Sequence, residues 1–523
     1  MRGANPTIGG ILSTDEYQLT MAQLYYRAGL HERPARFEHF FRSNPDYGEH
    51  QAGYCVAAGL HPFVEWLGAT RPRPSDVDAL RSHRGRGGRR LFDDAFCDWF
   101  RDVDPMALRV EAVPEGRVVH PNTPMTVVEG PLAIAQLVET PLLNRLNFPT
   151  LIATKASRVV EASQGRPVLE FGLRRAATGD GADAAARAAI VGGAVSTSNA
   201  AVGYRLGFTP AGTHAHSMVQ LFLALGGGEL AAFEAYADCY PDDCLLLVDT
   251  VDTLHSGVPN AIRVFEGLRR RGHEPVGVRL DSGDLAYLAV QTARMLDDAA
   301  FPDTTIVLSS QLDEITIWQI LSQLAVEARR IGMDADHVVR RLVFGVGSRL
   351  ATSDGDSSLD GVYKLVAVED EGRWLPAIKV SDTPAKVLNP GVKRLWRIYD
   401  ERGHSAADVL STDDEVLVPG TELSLHHHAQ NDTSRVVNPR DWSRIEQLPV
   451  VVVEDGDVVY PGGLEALADI DAARKRRLAD VDALDPGVRR LVNPHVYHVS
   501  ITTRLLDTKI ALVDQILRSR PTQ

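Results

Sequence analysis

One unit of strand, loop and helix recurs at a fixed interval in the middle of the chain. Asp249, Asp281, Asp313 and Gly345 each lie at or just past the end of a short apolar run, and each is 32 residues from the next. A stretch with helical periodicity separates successive runs. A βαβ crossover takes roughly 30 residues, so the interval fits one β/α unit. The pattern predicts parallel strands with acidic and glycine residues at their carboxyl ends, where α/β barrels hold catalytic groups.

The bulk composition limits the class of protein. A chain of 523 residues predicts two or three domains, and its net charge of −14 argues against nucleic acid or an anionic membrane as the main partner. An anionic substrate stays open, because a local cluster of basic residues can override the total charge.

The compartment is predicted from cysteines and hydropathy. None of the four cysteines forms a CxxC pair, which is typical of reduced thiols in a cytosolic protein. The N-terminal residues lack a hydrophobic signal core, and no apolar run reaches the roughly 18 residues of a membrane span. We therefore predict a cytoplasmic protein.

The sharpest local motif is GTHAHS at 212–217. It follows a predicted strand and opens a predicted helix, so it offers unpaired backbone N–H groups that suit an anion. Its histidines are candidates for a general base, a metal ligand or a nucleophile. A purely structural role for these histidines also remains open.

Two further motifs lie at predicted strand ends. RLDSGD at 279–284 brings one arginine and two carboxylates together, which suits Mg²⁺, ribose hydroxyls or a substrate carboxylate. A capped turn explains the same residues without a ligand. FGVGS at 344–348 is a glycine-rich turn that would let backbone amides approach a phosphate. The triplet HHH at 426–428 has no nearby carboxylate pair, so we do not predict a metal site there.

These motifs, in this order, resemble the nicotinate phosphoribosyltransferase family and its type II phosphoribosyltransferase fold. The resemblance runs through nearly the whole chain. GTHAHS and LDSGDL resemble the nicotinate branch more than the related nicotinamide enzyme. The segments that carry it are TDEYQLTMAQLYY (14–26), FEHFFR (37–42), VPEGRVV (113–119), QLVETPLLN (136–144), TLIATKASR (150–158), EFGLRRA (170–176), GTHAHS, VDTVDTLHSGVPNA (248–261), GVRLDSGDL (277–285), SSQLDE (309–314), FGVGS, GVYKLV (361–366) and NPGVK (389–393).

The resemblance implies an α/β fold with a distorted α/β barrel and a second, β-rich α/β domain built from both chain ends. We place the N-terminal domain at 1–145, completed by roughly 375–460, the barrel at 146–374, and a C-terminal helical segment at 461–523. The resemblance also implies a homodimer whose subunits share their active sites.

The implied reaction joins nicotinate to 5-phosphoribosyl 1-diphosphate, releasing nicotinate mononucleotide and diphosphate. The resemblance also implies that ATP is a co-substrate, that its hydrolysis drives the reaction through a phosphohistidine, and that Mg²⁺ is present. This reaction is the first step of NAD salvage from nicotinate. No nucleic acid or membrane partner is implied.

Residue roles carry over by position in the motifs. Tyr17 of the neighbouring subunit would stack on the pyridine ring, and Phe171 would cover its other face. Thr213, Arg174 and Arg279 would hold the nicotinate carboxylate or a nearby phosphate.

The implied catalytic residues are His216, Asp249 and Asp281. His216 would be phosphorylated, Asp249 would orient its other ring nitrogen, and both carboxylates are candidate Mg²⁺ ligands. Asp281 and Asp313 would bind ribose hydroxyls and the metal-bound diphosphate.

The 5′-phosphate would lie against Gly345, Gly347 and Ser348. Ser348 stands where the family usually has threonine, and Gln311 stands where a smaller or Asn/Asp-type residue is usual. The hydroxyl survives the first change, whereas the second makes the geometry of the ribose loop less certain.

Two other classes of function remain as alternatives. A metal-dependent lyase or aldolase would use Asp249, Asp281 and a histidine as metal ligands. A nucleotide-sensing or scaffold paralogue would bind substrates without turnover, although it would not need the complete set of His216, Arg279 and Asp281.

Overall fold

The computed structural model describes residues 8–380, 388–430 and 433–519. The chain divides into two compact units. The terminal unit comprises Met1–Leu151 and Ser358–Gln523, and the central unit comprises Ile152–Ser357. None of the described helices is both long and apolar enough to cross a membrane.

The first part of the chain alternates helices with short strands. Its elements are α1 (Glu16–Arg27), β1 (Pro34–Phe41), β2 (Cys55–Val56), α2 (Leu60–Ala69), α3 (Pro74–Ser82), α4 (Asp94–Arg101), β3 (Arg109–Ala112), β4 (Val118–Val119), β5 (Thr126–Pro131), α5 (Leu132–Leu137) and α6 (Glu139–Ala162).

The middle part alternates strand and helix regularly. Its elements are β6 (Val168–Glu170), α7 (Gly179–Val191), β7 (Ser196–Thr197), α8 (Ala200–Leu206), α9 (His216–Ala224), α10 (Gly228–Cys239), β8 (Leu245–Leu247), α11 (Val258–Arg270), β9 (Gly277–Leu280), α12 (Leu285–Asp298), β10 (Thr305–Ser309), α13 (Glu314–Arg330), α14 (Ala335–Arg340), β11 (Leu342–Val346) and α15 (Ser348–Ala351).

The last part is mostly strand and ends in helices. Its elements are β12 (Gly361–Asp370), β13 (Arg373–Pro376), β14 (Lys393–Tyr399), β15 (Ser405–Thr412), β16 (Leu423–His427), β17 (Ser434–Val437), β18 (Arg444–Gln447), β19 (Val450–Glu454), β20 (Asp457–Val458), α16 (Gly463–Ala468), α17 (Ile470–Asp482), β21 (Val499–Thr502) and α18 (Thr503–Arg518).

The central unit is built on one parallel six-stranded sheet. Its strand order is β7-β6-β11-β10-β9-β8. Apart from β7 and β8, strands that follow each other in the chain are neighbours, and β6, the first of the six, pairs in parallel with β11, the last. This cyclic order is that of a barrel, with the ladder open between β7 and β8. The predicted α/β fold class and its 32-residue β/α units are therefore confirmed.

The acidic residue after a strand often caps the following helix. Asp313 accepts a hydrogen bond from the Thr316 backbone at 2.7 Å and begins α13. Asp284 accepts from the Tyr287 backbone at 3.1 Å and begins α12. These caps satisfy donors that the first turn of a helix leaves unpaired. They fix where each loop ends and where each helix begins.

A buried ion cluster joins α6 to α13 inside the central unit. Glu314 is fully buried, and its carboxylate lies 2.9 Å from Lys155 Nζ and 3.0 Å from Arg158 Nε. A carboxylate shared by cations compensates the desolvation that a lone buried charge would suffer. Lys155 and Arg158 of the TLIATKASR motif therefore hold α6 against α13.

The terminal unit draws its sheets from both ends of the chain. One seven-stranded sheet has the order β13-β12-β1-β5-β3-β19-β20, and one six-stranded sheet has the order β17-β16-β21-β15-β14-β18. The second domain predicted from both chain ends is therefore present.

The domain boundaries differ from the predicted ones in two places. The strand β12, which the sequence assigned to the barrel at 146–374, pairs antiparallel with β1 and belongs to the terminal unit. The predicted helical segment 461–523 contains β21, which pairs with β15 and β16. In both cases a pairing with a strand far away in sequence decides the unit, and local periodicity does not report such pairings.

Candidate active site

A cavity of about 280 Å³ lies at the carboxyl ends of the central sheet. Six of the predicted site residues line it: Phe171, Arg174, Thr213, His216, Arg279 and Asp281. The structure therefore brings together groups from three separate motifs. Ligands of parallel α/β sheets bind at this end of the strands.

Arg279 is held in place from several sides. Its Nε donates to Ser309 Oγ at 2.8 Å, one terminal nitrogen donates to Thr213 Oγ1 at 3.2 Å, and the other donates to Asp281 Oδ1 at 3.0 Å. Each terminal nitrogen carries a second N–H that these bonds leave for a ligand. Such a pair of parallel donors matches a carboxylate or phosphate.

Phe171 forms the apolar wall beside this arginine. The guanidinium carbon of Arg279 lies 5.4 Å from the centre of the Phe171 ring. The ring packs onto Gly345 of β11, where any Cβ would overlap it. A glycine at position 345 thus makes room for the Phe171 ring. The sequence predicted a different role for Gly345, which is contact with the phosphate.

His216 is the first residue of α9 and faces two carboxylates. Its Nδ1 lies 3.0 Å from the Thr250 hydroxyl, while its Nε2 lies 3.8 Å from Asp249 Oδ1 and 3.9 Å from Asp281 Oδ2. Carboxylates near Nε2 favour a proton on that nitrogen, which leaves the lone pair on Nδ1 to accept from Thr250. The hydroxyl of Thr250 was not predicted from the sequence.

The Asp249 side chain is almost fully buried, and one of its two carboxylate oxygens accepts hydrogen bonds. Its Oδ2 accepts from the Asp281 backbone at 3.1 Å and from Ser282 Oγ at 2.5 Å. Its Oδ1 is buried and has no hydrogen-bond partner within the described residues. An unpartnered carboxylate oxygen facing an imidazole suits either a protonated histidine or a cation.

The carboxylates fit a hard cation that a substrate helps to bind. Mg²⁺ takes oxygen ligands and commonly uses one or two carboxylates together with substrate phosphates. Asp249 Oδ1 and Asp281 Oδ2 both face the cavity region around His216. In the described parts of the chain, no group of three or more His, Cys, Asp or Glu side chains is arranged to hold a metal by itself.

The segment from Ala211 to His214, which includes the start of the GTHAHS motif, bonds to both edge strands of the open sheet. Ala211 N donates to Thr197 O of β7 at 2.9 Å, and Leu247 N of β8 donates to His214 Nε2 at 3.0 Å. The His214 side chain thereby supplies the acceptor that a neighbouring strand would otherwise offer to β8. Burial lowers the pKa of His214, and the nearby charges of Arg279 and His216 lower it further, so the ring stays neutral and can accept.

The remaining predicted phosphate ligands lie after β10 and β11. Asp313 caps α13 and pairs with Arg349, which follows Ser348 in α15. Burial opposes the ionisation of Asp313, but hydrogen bonds from Thr316 and the charge of Arg349 outweigh it and hold its pKa below the usual value. Gly347 lies directly before α15. Arg349 is a basic group in this region that sequence reasoning missed.

The loop after β10 has an unusual backbone. Ser310 and Gln311 have φ values of 101° and 51°, in the region that residues other than glycine rarely adopt. Such conformations persist where surrounding structure enforces them, and they cluster at functional sites. This is the loop in which Gln311 departs from the pattern of the family.

Two predicted residues are exposed. Arg174 is exposed, in a short helical turn at Leu173–Arg175, and lines the cavity from there. Tyr17 belongs to α1 in the terminal unit, and 49% of its surface is exposed. Because Tyr17 is predicted to act in the site of the neighbouring subunit, its role stays a prediction.

The fold and site define a protein of the phosphoribosyltransferase class, with acidic and arginine side chains at the open end of a parallel α/β sheet. Two family models match the chain: the nicotinate phosphoribosyltransferase (NAPRTase) N-terminal domain at residues 12–147 and the C-terminal domain at residues 392–509. The chain belongs to the nicotinate phosphoribosyltransferase family.

Relatives from distant organisms match nearly the full length. The nicotinate phosphoribosyltransferase of Bacillus subtilis (strain 168) is 36% identical over 97% of this chain and 95% of its own. The enzyme pncB2 of Mycobacterium tuberculosis (strain ATCC 25618 / H37Rv) is 38% identical over 91% of this chain and 96% of its own.

Solved structures share the fold. The crystal structure of human nicotinic acid phosphoribosyltransferase has a TM-score of 0.78 and 31% identity, covering 95% of this chain and 99% of that one. The nicotinate-nucleotide pyrophosphorylase structure from Pyrococcus furiosus has a TM-score of 0.62 at 20% identity, covering 92% and 98%, and shows the fold alone.

Proposed function

We propose that this chain joins nicotinate to 5-phosphoribosyl 1-diphosphate, giving nicotinate mononucleotide and diphosphate, the first step of NAD salvage from nicotinate. The observation that carries the proposal is the cavity in which Arg279, Phe171, His216 and Asp281 converge. Family membership supports the same reaction.

Nicotinate would bind through its carboxylate and its ring. The free N–H groups of Arg279 would hold the carboxylate, Thr213 would lie beside them, and Phe171 would cover one face of the pyridine. Arg174 would contribute from the rim of the cavity. Nicotinamide would bring no negative charge to the N–H groups of Arg279 that remain free, so this arrangement favours the acid over the amide.

The transfer is a displacement at C1 of the ribose. The pyridine nitrogen forms the new bond to C1 as the C1–O bond to diphosphate breaks, and the diphosphate takes the electron pair. Asp281 and Asp313 would hold the ribose hydroxyls, and Gly345, Gly347 and Ser348 would lie against the 5′-phosphate. Positioning and charge neutralisation supply most of the catalysis in such a reaction.

Mg²⁺ would be held by Asp249 and Asp281, and it would neutralise charge on the diphosphate. The carboxylate oxygens that face His216 support this assignment. The contact of Asp281 with Arg279 keeps the acid fixed, so it would approach the metal in a single orientation.

ATP would drive the reaction through His216. Nδ1 would attack the γ-phosphoryl group as ADP leaves, and the phosphohistidine would later pass its phosphoryl group to water. The carboxylate of Asp249 near Nε2 supports this step, because it would stabilise the positive charge that the ring gains. The hydroxyl of Thr250 would orient the ring before the attack and would release Nδ1 for it.

A homodimer with shared active sites completes the proposal. Exposed apolar side chains support an interface, since Leu221 and Leu225 at α9 are 56% and 77% exposed. Tyr17 and Leu24 on α1 are 49% and 61% exposed. Tyr17 of one protomer would stack on the pyridine ring bound by its partner.

The deciding experiment measures nicotinate mononucleotide formed from nicotinate and phosphoribosyl diphosphate, with and without ATP. We expect ATP to stimulate the wild type and to have no effect on His216→Ala. His255→Ala is the matched control, because His255 is exposed and bonds only to Asp252 among the described side chains. Product from nicotinamide but not from nicotinate would contradict the proposal.

A further inference from the structure

The terminal unit contains a cavity of about 930 Å³ that the proposed reaction does not use. All of its lining residues belong to this unit. They include the histidine triplet at 426–428. Among the described lining residues none is acidic, while Arg42 and Arg435 are basic. The volume lies in the range typical of sites for small organic molecules.

Arg435 lies in the cavity wall and has no anionic partner among the described residues. Its Nε and Nη2 are buried, and neither has a hydrogen-bond partner in the part of the chain that the structure describes. Burial lowers its pKa, with Tyr497 opposing the shift. A desolvated guanidinium without a carboxylate destabilises a fold, so its presence in a cavity wall points to an anionic ligand.

His120 provides a second unpartnered group in the same wall. The side chain is fully buried, and neither ring nitrogen has a hydrogen-bond partner among the described residues. Its ring stacks on Tyr497 with centroids 3.7 Å apart and planes 11° from parallel. Burial, together with the charge of Arg397, lowers the pKa of His120 well below its usual value. A neutral imidazole keeps one donor and one acceptor for a ligand.

Neighbouring charges reinforce the positive potential. Lys509 is 4% exposed and donates to the backbone oxygen of His428 at 2.7 Å and to Asn389 Oδ1 at 3.2 Å, which are both uncharged acceptors. The hydroxyl of Tyr497 donates to Asp408, whose carboxylate also accepts from both Nε and Nη2 of Arg397. The charge of Asp408 is therefore neutralised by Arg397, whereas no carboxylate among the described residues neutralises Arg435.

We propose that this cavity is a binding site for an organic phosphate of nucleotide size. Arg435 would hold the phosphate, because an unpaired guanidinium matches its oxygens in a fork. His120 would bond to the body of the ligand. The cavity is too large for inorganic phosphate alone, so the ligand carries an organic group. This inference does not rest on the proposed reaction.

The test is equilibrium dialysis with labelled AMP, using Arg279→Gln protein so that the barrel site is weakened. We expect AMP to bind each chain at this second site, and inorganic phosphate to compete whereas adenosine does not. Arg435→Gln should weaken AMP binding about 10-fold or more, as expected for losing hydrogen bonds to a charged group. Arg440→Gln is the matched control, because Arg440 is exposed nearby in sequence and does not line the cavity.

A stability measurement separates ligand binding from a structural role. Without ligand, Arg435→Gln should leave the thermal unfolding midpoint unchanged or raise it, because the guanidinium loses no anionic partner. A lower midpoint would overturn the proposal in favour of a structural arginine. Equal AMP binding by Arg435→Gln and wild type, or no AMP bound to Arg279→Gln protein, would also overturn it.

Discussion

At the residue scale, Arg279 is the most constrained group of the candidate active site. Ser309, Thr213 and Asp281 each accept one of its hydrogen bonds. The sequence predicted Arg279, Thr213 and Asp281 as site residues through the resemblance. It gave no role to Ser309, because the hydroxyl lies on a neighbouring strand and becomes relevant only through the parallel register.

Arg279→Gln should reduce the preference for nicotinate over nicotinamide. Losing charge-assisted hydrogen bonds costs about 1.5–3 kcal/mol, so kcat/KM for nicotinate should fall about 10- to 150-fold. The value for nicotinamide should fall much less, since it has no carboxylate to lose. Steady-state kinetics with both substrates measures the ratio.

The control for this prediction is Arg294→Gln, because Arg294 is an exposed arginine of α12. It should leave both values unchanged. An unaltered preference in Arg279→Gln would show that another group recognises the carboxylate.

At the element scale, the seam between β7 and β8 decides the site geometry. The two strands end the order of the sheet, and the segment from Ala211 to His214 bonds to each of them. The sequence predicted the helix start at this motif, and α9 does begin at His216. It did not predict that His214 substitutes for a ladder bond, because the open position of a sheet depends on how all of its strands close.

His214→Leu should destabilise the protein and raise the KM for nicotinate. Leu247 N–H would lose its acceptor, which costs about 1–3 kcal/mol for a buried donor, and the shifted segment would carry Thr213 with it. Thermal unfolding and steady-state kinetics measure the two effects. His214→Gln should restore much of both, since its side-chain oxygen can accept in place of Nε2. No difference between the two variants would refute the positioning role.

At the scale of the whole molecule, the chain ends meet in one unit. Strands β1, β5 and β3 pair with β12 and β19 in a single sheet, although β12 and β19 come from the last third of the chain. The predicted second domain, built from both chain ends, is therefore confirmed. Its boundaries could be drawn only from the observed strand pairing. The homodimer stays a prediction.

A shared active site predicts complementation between two inactive variants. Tyr17→Ala and His216→Ala should each be impaired, because one would lose the stacking ring and the other the phosphorylated histidine. In a mixed dimer one site regains both groups, so random mixing should restore about one quarter of wild-type activity. Activity after co-refolding measures this. No recovery in dimers shown to be mixed would place Tyr17 in the site of its own subunit.

Buried histidines predict that stability falls in mild acid. Burial lowers the pKa of His39 and of His428 to about 4 and also lowers that of His214. Between pH 6.5 and about 4 the unfolded chain therefore binds protons that the folded chain does not. Each group shifted this far costs on the order of 3 kcal/mol across that range, with full stability only above about pH 6.5.

Denaturant unfolding at about pH 7.5 and about pH 5 measures this loss. His39→Gln should make the pH dependence shallower, because His39 is fully buried. His255→Gln should leave it unchanged, because the His255 side chain is 86% exposed. Equal slopes for wild type and His39→Gln would contradict the prediction.

The sequence by itself determined the β/α period, a helix start within the GTHAHS motif and six of the residues that line the cavity. These features are local, because periodic burial, helix caps and strand ends depend on residues that are close together in the sequence. Tertiary structure alone decided the open seam, the contacts of Thr250, Ser309 and Arg349, and the unit to which β12 belongs. Those depend on pairings between segments far apart in sequence, whose register is set by how the faces pack and not by any local pattern.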